Sequence, residues 1–240
     1  MIGFGTLINI VGILIGGCGG ILFGKKLSGR YQQNLMTAIG LCILFLGISG
    51  SMEEMLLLTD DGLASQGTMM LIASLAIGAL IGEWINLEYH MEQFGDWLKR
   101  KTKNTGDVHF VNGFVTTSLT ICIGAMAVVG SIQDGVSGDY SILTTKAILD
   151  LVIVMVMTAS LGKGCIFAAI PVALFQGTIT LLATFLQPLL TGQALANLSL
   201  TGSVLIFCVG VNLVFGKKIK VANLLPAIII AVLYAYLPLS

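Results

Sequence analysis

The chain has 240 residues, a mean hydropathy of +0.97, 56% apolar and 10% charged residues, and no net charge. A water-soluble fold of this size could not cover its surface with so few polar groups, since soluble domains carry about a quarter charged residues. The balanced charge also lacks the basic face that nucleic acid requires, which leaves a chain whose outer surface meets lipid.

About 20 apolar residues span the hydrocarbon core as a helix. On that rule the sequence predicts eight spanning helices, over 4–24, 34–52, 67–87, 111–132, 142–161, 164–188, 198–216 and 219–238. The first segment ends at Lys25 and Lys26 without a small-residue cleavage site, and no basic region precedes it. It therefore reads as a spanning helix rather than a cleaved signal. The fifth and sixth segments part at Gly162-Lys163-Gly164, where two glycines flank a charge. Lys217, Lys218 and Lys220 alone separate the last two, which makes that hairpin tight.

Charge in the connections alternates. The first carries Lys25, Lys26 and Arg30, the third Lys99, Arg100, Lys101 and Lys103, the fifth Lys163, and the seventh its three lysines. The second holds Glu53, Glu54, Asp60 and Asp61, the fourth Asp134 and Asp139, and the sixth no charge. Positive residues mark cytoplasmic loops. The expectation is an all-α polytopic transmembrane bundle of about eight helices with both termini extracytoplasmic. It forms one domain over 1–240.

Inside that domain, 88–110 reads as an amphipathic cytoplasmic connection. Trp84, Leu87, Met91, Phe94 and Leu98 recur at helical spacing, with Glu88, Glu92, Asp96 and Lys99 between them. The pattern suits an extension of the third helix lying at the interface, where Trp84 and Trp97 would sit. A plain cytoplasmic helix packed on its own loops fits equally. The five cysteines, Cys18, Cys42, Cys122, Cys165 and Cys208, have no metal-like spacing and read as small buried apolar residues.

Two short patterns recur. Leu22-Phe-Gly-Lys-Lys26 returns as Val214-Phe-Gly-Lys-Lys218, and Gly50-Ser-Met-Glu-Glu54 as Gly130-Ser-Ile-Gln-Asp134. Both suit repeated helical hairpins of parallel topology.

Residues that could carry function fall into three groups. Gly12, Gly16, Gly20 and Gly24 recur every fourth residue, as do Gly78 and Gly82. Such a ridge permits close helix packing, or alternatively a partly unwound helix. Ionisable groups within apolar segments come next. Asp150 lies mid-segment with Lys146 four residues earlier on the same face. They form either a structural ion pair or a site where Asp150 takes up a proton or cation. Glu83 sits near an inner helix end, and Gln133 and Asp134 near an outer one, where a vestibule or simple turn chemistry would use them. Amides form the third group: Asn9, Gln176 and Asn212 need partners in hydrocarbon. Gln176 follows Pro171 and precedes Gly177, so the sequence predicts a helix broken there with an amide at the break.

Enzyme signatures are absent. His90 and His109 stand outside any H-E-x-x-H, there is no P-loop, and Gly3-Phe-Gly5 lacks the third glycine of a dinucleotide fingerprint. No enzyme activity, cofactor or metal is expected. The expected partners are the lipid bilayer, a small solute or ion, and a second copy of the chain.

Several stretches are distinctive together. They are Gly78-Ala-Leu-Ile-Gly-Glu83-Trp-Ile-Asn-Leu-Glu88, Cys122-Ile-Gly-Ala-Met-Ala-Val-Val-Gly-Ser-Ile-Gln-Asp-Gly135 and Lys146-Ala-Ile-Leu-Asp150, followed by Ile170-Pro-Val-Ala-Leu-Phe-Gln-Gly177 and Lys218-Ile-Lys-Val-Ala-Asn-Leu-Leu-Pro226. Over nearly its whole length the chain resembles the prokaryotic membrane family known as domain of unknown function 554. Lys163 departs from that pattern, which is apolar there. The resemblance implies a bacterial or archaeal cytoplasmic membrane and supplies no activity. The residues themselves favour a secondary transporter or facilitator for a small solute or ion. The alternatives are a non-transporting scaffold, sensor or partner subunit, and an oligomeric channel.

Overall fold

The computed structural model describes residues 2–24, 27–60 and 62–237, so Lys25, Lys26 and Asp61 of the charge alternation lie outside the described residues. Helices dominate: α1 (Phe4–Gly24), α2 (Gly29–Met55), α3 (Thr68–Ile85), α4 (Leu87–Lys101), α5 (Phe110–Cys122), α6 (Ala125–Ser137), α7 (Ser141–Leu161), α8 (Ala169–Leu181), the single turn α9 (Ala183–Leu186), α10 (Gly192–Phe215) and α11 (Pro226–Tyr234). Tight 3-10 turns over Lys163–Ala168 and Val221–Leu224 lead into α8 and α11. The acidic second connection contains an unanticipated antiparallel hairpin, β1 (Leu56–Thr59) with β2 (Gly62–Ser65), whose residues are all exposed.

Each predicted apolar segment falls on helical structure, the fourth on two helices, α5 and α6, and the sixth and eighth each on a 3-10 turn that leads into helix. Among the described residues, six helical stretches are long and apolar enough to cross a membrane. The pair α5–α6, bent by 63°, makes a seventh if it counts as one span, and Val221–Tyr234 is a shorter apolar helix.

Helix contacts give the directions. On α1, Gly12, Gly16, Gly20 and Gly24 meet Ala147, Leu151, Met155 and Ala159 in rising order, so α1 and α7 run parallel. A Cβ on Gly16 would stand 2.3 Å from the Leu151 carbonyl oxygen, and one on Gly20 2.4 Å from that of Met155. Only glycine admits backbones this close. The glycine ridge is a packing surface, and α1 is continuous through it, so the unwound alternative does not hold.

By contrast, α2 and α10 run antiparallel, with Gly40 against Leu213 and Gly50 against Ser203. So do α3 and α11, with Gly78 against Ala227 and Gly82 against Asn223. These pairs join the first half of the chain to the second in opposite directions.

Three further expectations need correction. The third helix does not extend into the amphipathic stretch: Asn86, in the left-handed conformation at φ 56°, ends α3 and starts α4. Within α4, Glu88 is buried rather than on the wet face. The break placed at Pro171–Gly177 is also misplaced. Pro171 sits in the first turn of α8, where backbone N–H groups have no partner within the helix to lose, and α8 runs unbroken through Gly177. Of the cysteines, Cys165 is buried, whereas Cys18 and Cys42 lie on the outer surface, which lipid permits.

The break that matters lies elsewhere. After Cys122 the backbone turns extended at Ile123 and adopts φ 149°, ψ 148° at Gly124, a conformation that side-chain-bearing residues rarely adopt. It separates α5 from α6, whose axes diverge by 63°.

A candidate polar site at a broken helix

The α5–α6 break leaves the last carbonyls of α5 without helical partners. Lys146, on α7, donates to one of them: its Nζ lies 2.8 Å from the Ile121 oxygen. The same ammonium is ion-paired with Asp150 one turn along α7, as the i,i+4 spacing predicts. Both side chains are buried, at 6% and 4% exposure. A cation suits a helix C-terminus, where the backbone dipole is negative, so Lys146 balances the half-helix and the carboxylate together.

Asn9 is a buried residue of α1. Its Nδ2 donates to Gln176 Oε1 of α8 at 3.2 Å. One turn nearer the N-terminus of α1 the hydroxyls of Thr6 and Thr180 meet at 3.4 Å, and the Gly5 amide donates to Asp134 Oδ2 of α6 at 3.1 Å. A buried polar seam thus follows the junction of α1, α6, α7 and α8 as far as the break. It leaves Asn9 Oδ1, Gln176 Nε2, Asp134 Oδ1 and Ser131 Oγ unpartnered. Buried polar atoms are normally paired, so such a concentration of orphans asks for an explanation.

Of the candidate residues named from sequence, the structure gathers Asn9, Asp134, Lys146, Asp150 and Gln176 along this seam. Gln133 is half-buried on a different side of α6. Gly177 has open space around its Cα. Sequence reasoning did not single out Thr6, Thr180 or Ser131.

Asn212 and Glu83 belong to the end of the bundle that carries α4. Asn212 ties the α10–α11 connection, donating to the Ile219 oxygen at 2.7 Å and accepting from the Lys218 and Ile219 amides at 2.8 and 2.9 Å. Glu83 pairs with Lys220 at 2.6 Å and accepts from Asn223 at 2.6 Å. Next to it Lys217 bridges Glu88, at 2.9 Å, and Glu92. Burial pulls the Lys217 ammonium down, but its hydrogen bonds to Glu88 and Glu92 and their charges outweigh this and raise it above the ordinary lysine value. A cavity of about 660 Å³ opens beside this cluster, between α2, α4, α5 and α10. Its lining includes Gln33, Asn112, Thr116 and Asn212 and reaches Leu119, two residues before the carbonyl that Lys146 holds.

A chain of several apolar helices, one broken at a buried lysine–carboxylate pair, is a multi-pass helical membrane protein. The family model described as "Protein of unknown function (DUF554)" matches residues 4–236, and the chain belongs to that family. It is 32% identical over 227 residues to the "Uncharacterized membrane protein YdfK" of Bacillus subtilis (strain 168), covering 95% of this chain and 93% of the relative. It is 29% identical over 231 residues to the "Uncharacterized protein YqgA" of Escherichia coli (strain K12), covering 95% and 94%. No solved structure matches the chain. With bacterial relatives of nearly equal length and several apolar helical spans, the protein is a multi-pass protein of the bacterial inner membrane.

Proposed function

We propose that the chain is a secondary transporter or facilitator for a small solute or ion, with its site on the seam at Asn9, Lys146, Asp150 and Gln176. One observation carries this reading: a buried lysine–carboxylate pair sits against the carbonyl of a helix broken inside the bundle, beside two amide atoms that have no partner. Broken helices whose exposed backbone and ionisable side chains meet between spans are where secondary transporters bind substrates and coupling ions. Irregular backbone at membrane depth is tolerated only when buried in protein or lining a cavity. The cavity that reaches Leu119 would supply the approach from one side.

In this reading the chain crosses the membrane eight times, with both termini outside and the α4 end in the cytoplasm. Lys99, Arg100, Lys101, Lys217, Lys218 and Lys220 all lie at that end, in keeping with positive charge inside. The parallel run of α1 and α7 agrees, since four crossings lie between their starts only if α5–α6 counts as one.

The test is Asp150→Asn in purified, detergent-solubilised protein and in proteoliposomes. A transporter predicts a solute or ion that raises the melting temperature of the parent but not of the variant, with flux lost in the variant. A variant that melts much earlier than the parent while flux persists per folded molecule would make the pair structural and end this reading.

A further inference from the structure

We infer that Asp134 and Ser131 of α6, with Thr6 of α1 and Thr180 of α8, form a binding site for Na⁺, separate from the Lys146–Asp150 pair. Asp134 is fully buried, as is Ser131. A carboxylate inside a membrane bundle is costly unless something compensates it. No lysine, arginine or histidine pairs with Asp134 among the described residues. Its Oδ2 is used by the Gly5 amide, and its Oδ1 has no partner.

The second observation is independent of the acid. Ser131 Oγ is also unpartnered, although a serine in a helix commonly bonds back to its own backbone. It stands three residues before Asp134, hence on nearly the same face of α6. Asp134 meets α1 at Gly5, while Gly135 meets α8 at the Thr180 carbonyl. By helix geometry Ser131 lies between those two directions, on the flank of α6 that faces α1 and α8, whose Thr6 and Thr180 hydroxyls meet each other at 3.4 Å.

The chemistry selects the ligand. The side-chain groups assigned to the site all offer oxygens, and hard cations take oxygen ligands. One carboxylate balances one charge, which favours a monovalent ion. Asp134 also lies in the last turn of α6, before its cap at Gly138, where the half-helix dipole adds negative potential. Ends of half-helices are used in this way to coordinate coupling ions.

Na⁺ as the coupling ion rests on the transport reading above; the site itself does not, and the experiment reads the site. The melting temperature of the detergent-solubilised protein is measured in equal concentrations of NaCl, KCl and choline chloride, for the parent, Asp134→Asn and Ser131→Ala. The expected result is a saturable rise specific to Na⁺, about 5 °C at concentrations far above the dissociation constant. Asp134→Asn loses this rise entirely and, in choline chloride, melts at or above the parent, since the amide removes an uncompensated charge while keeping an acceptor for Gly5. Ser131→Ala keeps the fold and shifts the Na⁺ midpoint upward by about tenfold or more. Equal melting of the parent in all three salts overturns the inference. So does a response to K⁺ as large as that to Na⁺, or a Na⁺ response retained in both variants. A parent insensitive to salt but stabilised by acid, with that effect lost in Asp134→Asn, replaces Na⁺ by a proton and likewise overturns it.

Discussion

The two stretches of α1 hold the bundle together by different means. From Gly12 to Gly24 the helix meets α7 backbone to backbone, through four glycines set against successive turns, and no side chain there needs a polar partner. From Gly5 to Asn9 it meets α6 and α8 through an amide, a hydroxyl and a backbone N–H. The first stretch has no unsatisfied side chain of its own and faces one orphan on α7, Thr158 Oγ1 against Gly20. The second leaves Asn9 Oδ1 unpartnered and faces further orphans on α6 and α8. Since the glycine stretch already docks α1 firmly on α7, the polar stretch is not required for association. Interhelical hydrogen bonds in membranes contribute little, about 0.6 kcal/mol on average, so stability is a weak reason to keep polar groups that are half-satisfied. Their retention fits a site better than it fits glue.

The largest way to break that contrast is Lys146→Met. It strands the Asp150 carboxylate and frees the Ile121 oxygen at one stroke. Removing one partner of a buried pair costs about 3–5 kcal/mol. The variant should melt far below the parent, and Lys146→Met with Asp150→Asn should recover most of the loss. A single variant as stable as the parent would mean that Asp150 has another counter-charge.

Next is Gly16→Ala, which attacks the dry stretch. The new methyl would need the space now within 2.3 Å of the Leu151 oxygen, and a backbone atom cannot swing aside as a side chain can. Parting α1 from α7 should cost about 1–3 kcal/mol, read as a lower melting temperature, with ligand responses at the polar seam retained in the folded fraction.

Asn9→Leu sharpens the comparison from the other side. It leaves Gln176 Oε1 without its donor, a penalty of about 1–3 kcal/mol. If the seam is a site rather than a scaffold, Asn9→Leu with Gln176→Leu should return to roughly parental stability, because no polar group is then left waiting. Flux and ligand-induced stabilisation should stay lost. A double variant that remains as unstable as the single one would show the amides to be structural.

Hydropathy made the spans legible because lipid-facing helices are apolar all round, and the four-residue glycine spacing made the α1 ridge legible because it matches a helical turn. The i,i+4 spacing of Lys146 and Asp150 likewise predicted their contact. Other features escaped. The α5–α6 break lies in Cys122-Ile-Gly-Ala125, which is apolar throughout, so hydropathy runs straight across it; the available signals were Gly124 itself and a stretch longer than one span needs. Pro171 misled because a proline's effect depends on its distance from the helix start, and the 3-10 turn sets that start at Ala169. Glu88 looked solvated from the periodicity of α4, yet Lys217 and the Ala222 amide reach it from the far end of the chain. The hydroxyls of Thr6, Ser131 and Thr180 could not be ranked in advance, since any of them could have bonded to its own helix.

The smallest prediction uses the same substitution as Gly16→Ala with the opposite sign. Gly177 lies inside α8, next to the seam residue Gln176, and a Cβ there would meet nothing within 4 Å. With no steric cost, alanine should bring only its better helix propensity, about 0.5–1 kcal/mol. Gly177→Ala should therefore melt slightly above the parent. If α8 stays helical in every working state, flux is unchanged as well. If Gly177 is instead a hinge that opens during transport, the variant should be more stable but slower, a combination that packing alone would not produce and that thermal melting beside a flux assay separates cleanly.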